Sequence, residues 1–396
     1  MIRFSTAGES HGKAMVAILE GVPAGLFLEA EDIDRQLRRR MAGHGRGARM
    51  KIESDAVEFL AGVRNGATLG SPIAMLIRNR DWENWTDVMS SEPDGVESGD
   101  RRRKVTRPRP GHADLVGSLK YDRTDARDIL ERASARETAA RVACGAVCRK
   151  LLAEFSVEIG SHVIQMGDVQ ASIPDTLPEP INESADESPV RCLDSETSKA
   201  MVAAIDAAAE ARDTLGGIAE VVVRGLYAGL GSHVSWDRKL DGRLAGALMS
   251  IQGVKGVEIG AGFEAARQRG SEVHDEILVG NRDASGGFVR ATNRAGGLEG
   301  GMTTGEPLVL RVAMKPISTL RRPLQTVNLE TGLADQAHSE RSDTTAVPAM
   351  GVIAEAMVAL VLADAAVEKF GGDSLGEIRD NSKAYVARMN DRLKSK

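Results

Sequence analysis

Hydrophobic residues recur at helical spacing in five parts of the chain. Small or apolar side chains three and four positions apart predict helices with buried faces. The stretch 125–155 is predicted to be one long, mostly buried helix. Residues 346–370 are the most apolar, but Pro348, Glu355 and Asp364 interrupt them, which predicts a buried helix rather than a membrane span. The other predicted helices are 32–40, 199–212 and 243–250, and a polar C-terminal tail follows the last helix.

Apolar runs rich in β-branched residues predict strands between these helices. They cover residues 56–63, 72–79, 216–231, 253–260 and 307–316. Residues 165–198 are rich in Pro, Ser and acidic residues and are predicted to be an exposed excursion. Strands and helices mix without a regular βαβ alternation, which favours an α+β fold.

Composition limits the class of protein. The 396 residues are 42% hydrophobic and 3% aromatic, which is typical of a soluble globular protein with a core of Ala, Val, Leu and Ile. Cys144, Cys148 and Cys192 form no CxxC pair, which argues against a disulfide framework and a zinc site, so no metal is expected. The N-terminus lacks the apolar core of a secretory signal, and this predicts a cytoplasmic protein.

The net charge of -6 argues against a general binder of nucleic acid. Basic residues are nevertheless concentrated in two clusters, which in an acidic protein indicate local pockets for small anions. For residues 101–104, a solvated surface run remains an alternative. The clusters are Arg38, Arg39, Arg40, Arg46 and Arg49, and Arg101, Arg102, Arg103, Lys104, Arg107 and Arg109.

Two histidines lie in irregular, glycine-containing segments, where packing on a helix face does not explain them. His11 belongs to TAGESHGK, at 6–13, and His112 belongs to RPRPGHAD, at 107–114. An imidazole is the usual general acid or base near neutral pH, and Asp114 is close enough in sequence to orient the His112 ring. A structural role remains the alternative for each histidine.

The segment ERASARET predicts an anion site on the long helix. Arg132 and Arg136 lie one turn apart with Ser134 between them, and two like charges on one helix face require a partner. An anionic ligand is a candidate partner, alongside Glu131 and Glu137.

Three later segments add polar groups. Residues 293–307 are glycine-rich but fit neither GxGxxG nor a P-loop. MKPIST, at 314–319, supplies a lysine and two hydroxyls, and HSERSDTTAVPA supplies Arg341 and Asp343. The residues therefore indicate an enzyme with a multi-arginine anion site and two acid/base histidines, and they leave its reaction undefined.

In their order along the chain, these segments resemble the chorismate synthase family in its bacterial form. The matching segments are TAGESHGK, RRRMAGHGRGARM, RPGHAD, RASARETAARVACGA, IQGVKGVEIG, GGLEGGMTTGEP, MKPIST and RSD. The resemblance implies a 1,4-elimination of phosphate from 5-enolpyruvylshikimate 3-phosphate that gives chorismate, the last step of the shikimate pathway. It also implies a requirement for reduced FMN (FMNH2), although the reaction has no net redox change.

The resemblance also implies roles for individual positions. His112 is expected to protonate the departing phosphate and His11 the reduced flavin, while Asp343 helps to remove the C6 proton. The implied substrate-binding residues are Ser10, Arg40, Arg46, Arg49 and Arg136, with Arg40 and Arg46 also linked to NADP, so that NADPH is a candidate flavin reductant. The implied flavin-binding residues are Arg132, Ala133, Ser134, Gln252, Gly253, Gly300, Lys315, Pro316, Ile317, Ser318, Thr319 and Arg341.

This chain departs from the common family pattern at four places. Ala133 stands where serine is common, Gln252-Gly253 where Asn-Ala is common, Thr304 where asparagine is common, and Ser342 where histidine is common. Asp343 is retained, so the departures concern flavin hydrogen bonds rather than catalysis.

The resemblance further implies a β-α-β sandwich, with long helices between two antiparallel sheets, in a single domain over residues 1–396 that assembles as a homotetramer. Two other classes remain open from the residues: another anion-binding flavin- or NADP-dependent enzyme, and a non-catalytic RNA-binding protein. The acidic total and the scarcity of aromatic side chains for base stacking count against RNA. No nucleic-acid or membrane partner is expected.

Overall fold

The computed structural model describes residues 1–47, 54–92, 103–174, 176–280, 283–340 and 342–394. The helices are α1 (Ala30–Met41), α2 (Asp114–Tyr121), α3 (Arg127–Ala133), α4 (Thr138–Ala153), α5 (Ile181–Glu187), α6 (Ser195–Glu210), α7 (Leu240–Met249), α8 (Gly270–Val273), α9 (Val347–Phe370) and α10 (Leu375–Lys394). The strands are β1 (Arg3–Ala7), β2 (Ala14–Glu20), β3 (Val57–Ala61), β4 (Val63–Arg64), β5 (Ala67–Thr68), β6 (Ile73–Arg78), β7 (Glu158–Met166), β8 (Val169–Gln170), β9 (Gly217–Arg224), β10 (Val254–Ile259), β11 (Ile277–Val279), β12 (Phe288–Arg290), β13 (Leu298–Glu299), β14 (Met302–Thr303), β15 (Leu308–Met314), β16 (Gln325–Val327) and β17 (Ala334–Gln336).

Two antiparallel sheets form the outer layers. One has the strand order β1-β2-β6-β3, and the other has the order β10-β15-β9-β7-β8. In β2, alternate side chains Met15, Ala17 and Leu19 are buried, as expected of a strand with one face on the core. Thr6 of β1 pairs with Ala17, so the register places the end of β1 beside the start of β2.

Helices α1, α4 and α9 fill the space between the sheets. Helix α4 packs on β2 and β6 of one sheet and on β7 of the other, and α9 packs on β7, β9 and β15. At Gly145 the two long helices approach so closely that a Cβ would lie 2.6 Å from the Cα of Ala356. A cluster of buried hydrophobic side chains extends from Ile2 to Ile378. The expected β-α-β sandwich is confirmed.

The prediction of one helix over 125–155 is wrong, because the helix breaks at Ser134. Helix α3 ends at Ala133, Ser134 is extended (φ -61°, ψ 145°), a single 3-10 turn follows, and α4 begins at Thr138. The Ser134 hydroxyl accepts a hydrogen bond from the backbone N–H of Arg136, an N-cap contact that competes with helical continuation.

The end of the chain also differs from its prediction. Residues 375–394 form α10 rather than an irregular tail. Leu375, Ile378 and Ser382 are buried at helical spacing, and Gly371 and Gly372, at φ +64° and +103°, separate α10 from α9.

Residues 165–198, which were expected to be an exposed excursion, are partly packed on the five-stranded sheet. They contain β8, α5 and the first turn of α6, and α5 lies on β7. Ile181, Ala185, Val190 and Cys192 are buried. These few buried residues were not predicted, because Pro, Ser and acidic residues dominate the composition of the segment.

The central helices supply the apolar interior. Helix α9 is long and apolar enough to cross a membrane by length and composition, yet 83% of its apolar stretch is buried inside the protein. This burial agrees with the predicted core helix. On α4, Cys144 and Cys148 are both buried, and burial raises the pKa of the Cys144 thiol to about 12, so it behaves as a small apolar side chain.

Candidate functional site

The loop between β1 and β2 carries Ser10 and His11. Gly8 has φ +110°, and a Cβ at this position would lie 2.3 Å from the carbonyl oxygen of Ala14, so the turn requires glycine. Asn79, just after β6, donates from Nδ2 to two carbonyl oxygens of the loop at 3.1 and 2.7 Å. The loop is therefore anchored to the sheet.

His11 is held between a carboxylate and an indole. Its Nδ1 lies 2.9 Å from Oε1 of Glu131, and its backbone N–H donates to Oε2 of Glu131 at 2.9 Å. The ring stacks on Trp85, with centroids 3.8 Å apart and planes inclined by 22°. Burial alone would raise the pKa of Glu131, but the His11 contacts and the charge of Arg127 hold that pKa below its ordinary value.

The break after α3 turns Ser134 and Arg132 toward this loop. The Ser134 hydroxyl donates to the hydroxyl oxygen of Ser10 at 3.1 Å. Arg132 donates to the carbonyl oxygens of Thr6 at 2.9 Å and Gly8 at 3.2 Å. The break also removes Arg136 from the helix face that carries Arg132, which both residues would share in a continuous helix.

Arg40 and Arg136 meet at one buried carboxylate. Arg136 donates from Nη1 to Oδ1 of Asp55 at 2.6 Å, and Nη1 of Arg40 lies 3.6 Å from Oδ2 of Asp55. Arg40 also donates from Nε to the hydroxyl of Thr138 at 2.9 Å. Burial lowers the pKa of Arg40 to about 9, opposed by the charge of Asp55. Two guanidinium groups sharing one carboxylate leave an excess of positive charge in the interior.

Arg46 and Asp343 form a second ion pair near these arginines. Nε of Arg46 lies 3.2 Å from Oδ2 of Asp343, while Oδ1 of Asp343 accepts the backbone N–H of Gly47 at 2.6 Å. Both charges act on Arg40, Arg46 lowering its pKa and Asp343 raising it. The loop after α1 and the segment before α9 are thus tied together at this pair.

The turn that carries His112 is fixed by Asp114 and Arg109. His112 Nδ1 lies 2.5 Å from Oδ1 of Asp114, and Arg109 donates from Nε to Oδ2 of the same carboxylate at 2.8 Å. Arg109 also donates from Nη1 to the hydroxyl of Thr319 at 2.8 Å. Burial favours protonation of Asp114, but hydrogen bonds from His112 and Arg109 outweigh it and hold the pKa well below its usual range.

Lys315 connects this turn to the rest of the site. Its ammonium donates to the carbonyl oxygen of Gly111 at 2.6 Å and to the hydroxyl of Ser318 at 2.9 Å, and its backbone N–H donates to the carbonyl of Gly253 at 2.9 Å. Burial, with the nearby charge of Lys255, lowers the pKa of Lys315.

Gln252 and Glu137 complete the connection to the His11 loop. Gln252 donates from Nε2 to Oε2 of Glu137 at 3.1 Å, and the hydroxyl of Thr6 donates to Oε1 of Glu137 at 2.6 Å. Glu137 also lies 3.8 Å from Nη2 of Arg132. A chain of polar contacts therefore runs from the His11 loop, through Glu137 and Gln252, to the His112 turn.

The donor set suits a ligand with several negative charges. Among the residues that the structure describes, the buried polar atoms of the site that make no hydrogen bond include Nη1 of Arg40, Oδ2 of Asp55 and Oε1 of Gln252. Nη1 of Arg40 and Oδ2 of Asp55 form an ion pair at 3.6 Å, so Oε1 of Gln252 is the one of these three atoms that has no polar contact and could accept a hydrogen bond from a ligand. No set of three His, Cys, Asp or Glu side chains in the described ranges is arranged to hold a metal ion.

Glu131 also lines a cavity of about 180 Å³. Among the described residues, Glu9, Asp125 and Asp128 line it as well, together with the cation of Arg127. Four carboxylates repel an anionic ligand, so this cavity is distinct in chemistry from the arginine-rich site.

Most of the expected site residues that the structure describes are brought together, and Gly300 lies apart from them. Ile317 accepts a hydrogen bond at its carbonyl from Thr214, between Pro316 and Ser318. Gly300 lies in the turn between β13 and β14. The carbonyl of the next residue, Gly301, accepts the backbone N–H of Leu240, so this turn packs on the start of α7. Arg49 and Arg341 lie outside the described residues.

Three contributors were not identified from the sequence: Asp55, Asn79 and Trp85. Asp55 and Asn79 lie next to other polar residues close to strand ends, and nothing in their spacing marks them as buried. Trp85 had one signal, because aromatic residues are scarce and DWENW holds two of the three tryptophans. A tryptophan in a polar loop needs a packing partner, and here that partner is His11.

Comparison with known proteins identifies the family of this chain. The family model described as chorismate synthase matches residues 2–367. The chain is 57% identical over 393 residues to a chorismate synthase of Thermobifida fusca, covering 98% of each protein. It is 57% identical over 396 residues to a chorismate synthase of Streptomyces coelicolor, covering 99% of each.

A solved structure shares the fold. The chain superposes on a crystal structure of chorismate synthase with a TM-score of 0.78, at 44% sequence identity and with 98% of each chain covered. The match extends over both sheets and the helices between them. The chain therefore belongs to the chorismate synthase family, lyases of aromatic amino acid biosynthesis.

Proposed function

We propose that this enzyme converts 5-enolpyruvylshikimate 3-phosphate into chorismate and inorganic phosphate by a 1,4-elimination, with reduced FMN as its cofactor. The observation that supports the proposal is the polar connection between the His11 loop, the buried arginines and the His112 turn. The connection links the segments that carry both histidines to the arginine-rich part of the site, and such positive charge suits the elimination of phosphate from a polyanionic substrate.

The arginines bind and orient the substrate. A substrate with two carboxylates and a phosphate matches the planar donors of Arg40, Arg46 and Arg136 better than it matches point charges. Asp55 already holds Arg40 and Arg136 in place, so little side-chain entropy is lost when the anion binds. Ser10 and Ser134 add hydroxyl donors at the end of this arginine group.

His112 supplies the proton to the departing phosphate. Its Nδ1 faces Asp114 and Arg109, which leaves Nε2 as the atom that exchanges a proton with the substrate. Asp114 stabilises the cationic ring, as the buried aspartate of a Ser-His-Asp triad stabilises its histidine. Lys315, close to the same turn, adds positive charge where the phosphate leaves.

Asp343 is the proposed acceptor for the C6 proton, and His11 holds a proton on the flavin side of the site. Reduced flavin, when bound, supplies electron density to the substrate. The proposed flavin contacts are the side chains and backbone groups at 132–134, 252–253, 300, 315–319 and 341.

The proposal is tested with purified protein, substrate and chemically reduced FMN without oxygen. We expect stoichiometric release of phosphate and formation of chorismate. Absence of turnover under these conditions overturns the proposal.

NADPH is the proposed reductant of the flavin. Turnover with oxidised FMN and NADPH, without oxygen and without an added reductase, supports this part. Turnover only after chemical reduction contradicts it and assigns flavin reduction to another protein.

A homotetramer in the cytoplasm is the proposed form of the enzyme. Large apolar side chains on the surface of the chain support an assembly: Trp236 is 85% exposed, Val279 is 81% exposed and Phe263 is 74% exposed. Light scattering after size-exclusion chromatography tests the proposal, and a monomer at micromolar concentration contradicts it.

A further inference from the structure

Glu131 contacts the His11 segment at three points. Its carbonyl oxygen accepts the backbone N–H of Ser10 at 2.9 Å, and its carboxylate accepts the backbone N–H of His11 at 2.9 Å. Both carboxylate oxygens also lie 2.9 Å from the ring Nδ1 of His11. One residue of α3 therefore sets both the path of the loop and the direction of the imidazole.

The carboxylate itself is held firmly. Its side chain is 1% exposed, and Arg127, one helical turn earlier, donates from Nη1 to Oε1 at 2.9 Å. Nη2 of Arg127 donates to Oε1 of Glu340 at 3.2 Å, and the same oxygen lies 2.9 Å from Nε2 of His338. This alternating chain of charges links α3 to the segment that leads to Asp343, so that Glu131 has little freedom to turn away.

The chemistry of these contacts selects one tautomer of His11. An ionised carboxylate only accepts hydrogen bonds, so the Nδ1 atom beside Glu131 must carry the hydrogen. Trp85 covers one face of the ring at 3.8 Å, which opposes rotation that would exchange Nδ1 and Nε2. Glu9, Asp125 and Asp128 line the cavity that Glu131 also lines and add negative charge there.

We propose that Glu131 is a positioning residue for the elimination reaction: it fixes His11 as the Nδ1–H tautomer, so that Nε2 is the atom through which His11 exchanges a proton. This inference rests on the proposed function for its kinetic part only. A purely structural role of Glu131 predicts a change in stability without a change in the tautomer of His11.

The chain offers a matched control. Glu220 is also buried, lies 3.2 Å from Nε2 of His162 and accepts from Arg311 at 2.9 Å, but it belongs to the five-stranded sheet and to none of the site contacts. Glu131→Gln and Glu220→Gln therefore remove the same charge from the same kind of His–Glu–Arg contact. Only the first changes a group next to the site.

The first readout is ¹⁵N NMR of histidine-labelled enzyme without flavin, with the His11 signals assigned by their loss in His11→Gln. In Glu131→Gln, Arg127 retains the amide oxygen at the Oε1 position, and the amide NH2 takes the Oε2 position, which lies 2.9 Å from both Nδ1 and the backbone nitrogen of His11. We expect His11 to change from the Nδ1–H to the Nε2–H signal pattern in this variant and to keep the Nδ1–H pattern in Glu220→Gln. An unchanged Nδ1–H pattern in Glu131→Gln overturns the inference.

The second readout is kinetic. We expect kcat of Glu131→Gln to fall about 10- to 100-fold, the size seen when a group that orients a functional histidine is removed, with KM for the substrate within about twofold. A wild-type kcat overturns the inference, whereas an inactive wild-type enzyme overturns the proposed function instead. If Glu131→Gln does not fold, Glu131→Asp is measured instead. A retained Nδ1–H pattern with a reduced kcat supports the inference. A wild-type kcat contradicts it.

Discussion

Nδ1 of His112 lies 2.5 Å from Oδ1 of Asp114, and the carboxylate of Asp114 is fully buried beneath the turn. The pair fixes the ring direction before any ligand binds, because Arg109 holds the second oxygen of the same carboxylate. Pre-organisation of this kind is what allows a single histidine to act as a general acid.

Replacement of His112 should therefore affect the chemical step. In His112→Ala we expect the rate of phosphate release in a single turnover to fall about 10²- to 10⁴-fold, the usual contribution of a positioned general acid. His274→Ala serves as the control, since His274 is exposed and remote from these contacts. An unchanged single-turnover rate in His112→Ala would return this histidine to a structural role.

Lys315 should matter through its two contacts with the same turn. In Lys315→Met, the carbonyl of Gly111 and the hydroxyl of Ser318 lose a charged donor, each such bond contributing about 1.5–3 kcal/mol. We expect kcat/KM to fall about 10- to 100-fold, measured with reduced FMN in excess. Lys199→Met, at an exposed pair with Glu196, should behave as wild type. Equal kinetics for the two variants would contradict the prediction.

Glu355 should be a determinant of stability rather than of catalysis. It is 2% exposed on α9 and accepts from Arg39 at 2.9 Å, Arg149 at 2.6 Å and Arg191 at 3.2 Å. Removing the charge leaves the guanidinium groups of Arg39, Arg149 and Arg191 without their shared carboxylate, and of these Arg191 is buried while the other two are partly buried. We expect Glu355→Gln to lower the free energy of unfolding by about 3–5 kcal/mol, measured by urea denaturation at pH 7.

The pH dependence of the same variant gives a second check. Burial alone would raise the pKa of Glu355, but Arg39 and Arg149 hold it well below its usual range. Its contribution to stability is therefore complete above the unfolded pKa of about 4.3 and is lost as the pH falls toward the depressed folded pKa. The difference between wild type and Glu355→Gln should shrink below about pH 4. Glu368→Gln, in an exposed pair with Arg238, should cost less than about 1 kcal/mol at any pH.

Gly145 should be required for the close packing of α4 on α9. A Cβ at this position would lie 2.4 Å from the Cβ of Ala356 and 2.7 Å from its carbonyl oxygen, and backbone on both sides leaves no flexible group to move. We expect Gly145→Ala to lower the free energy of unfolding by about 1–3 kcal/mol. Gly246→Ala on α7 meets no atom within 4 Å and should raise stability by up to about 1 kcal/mol. Thermal unfolding of the pair tests the prediction, and an equal rise in both melting temperatures would contradict it.

Local pattern alone predicted the elements with strong periodicity. Three predicted elements match the structure closely: the strands at 72–79 (β6) and 307–316 (β15) and the helix at 32–40 (α1). They could be predicted because apolar spacing is a local property, as are the acidic first turn and basic last turn of α1. The helix break at Ser134 escaped prediction, because its cause is a capping hydroxyl whose second partner, Ser10, is distant in sequence.

By itself, the sequence determined the family, the α+β class and the segments that carry the chemistry, since ordered motifs and the spacing of apolar residues are readable without coordinates. Only the tertiary structure decided how those segments meet. Asp55 lies between Arg40 and Arg136, and Glu131 lies against His11, because the sandwich brings together the ends of β1, α1 and α3. A buried charge gains its role from partners that lie up to 120 residues away in these pairs, and no local pattern records those partners.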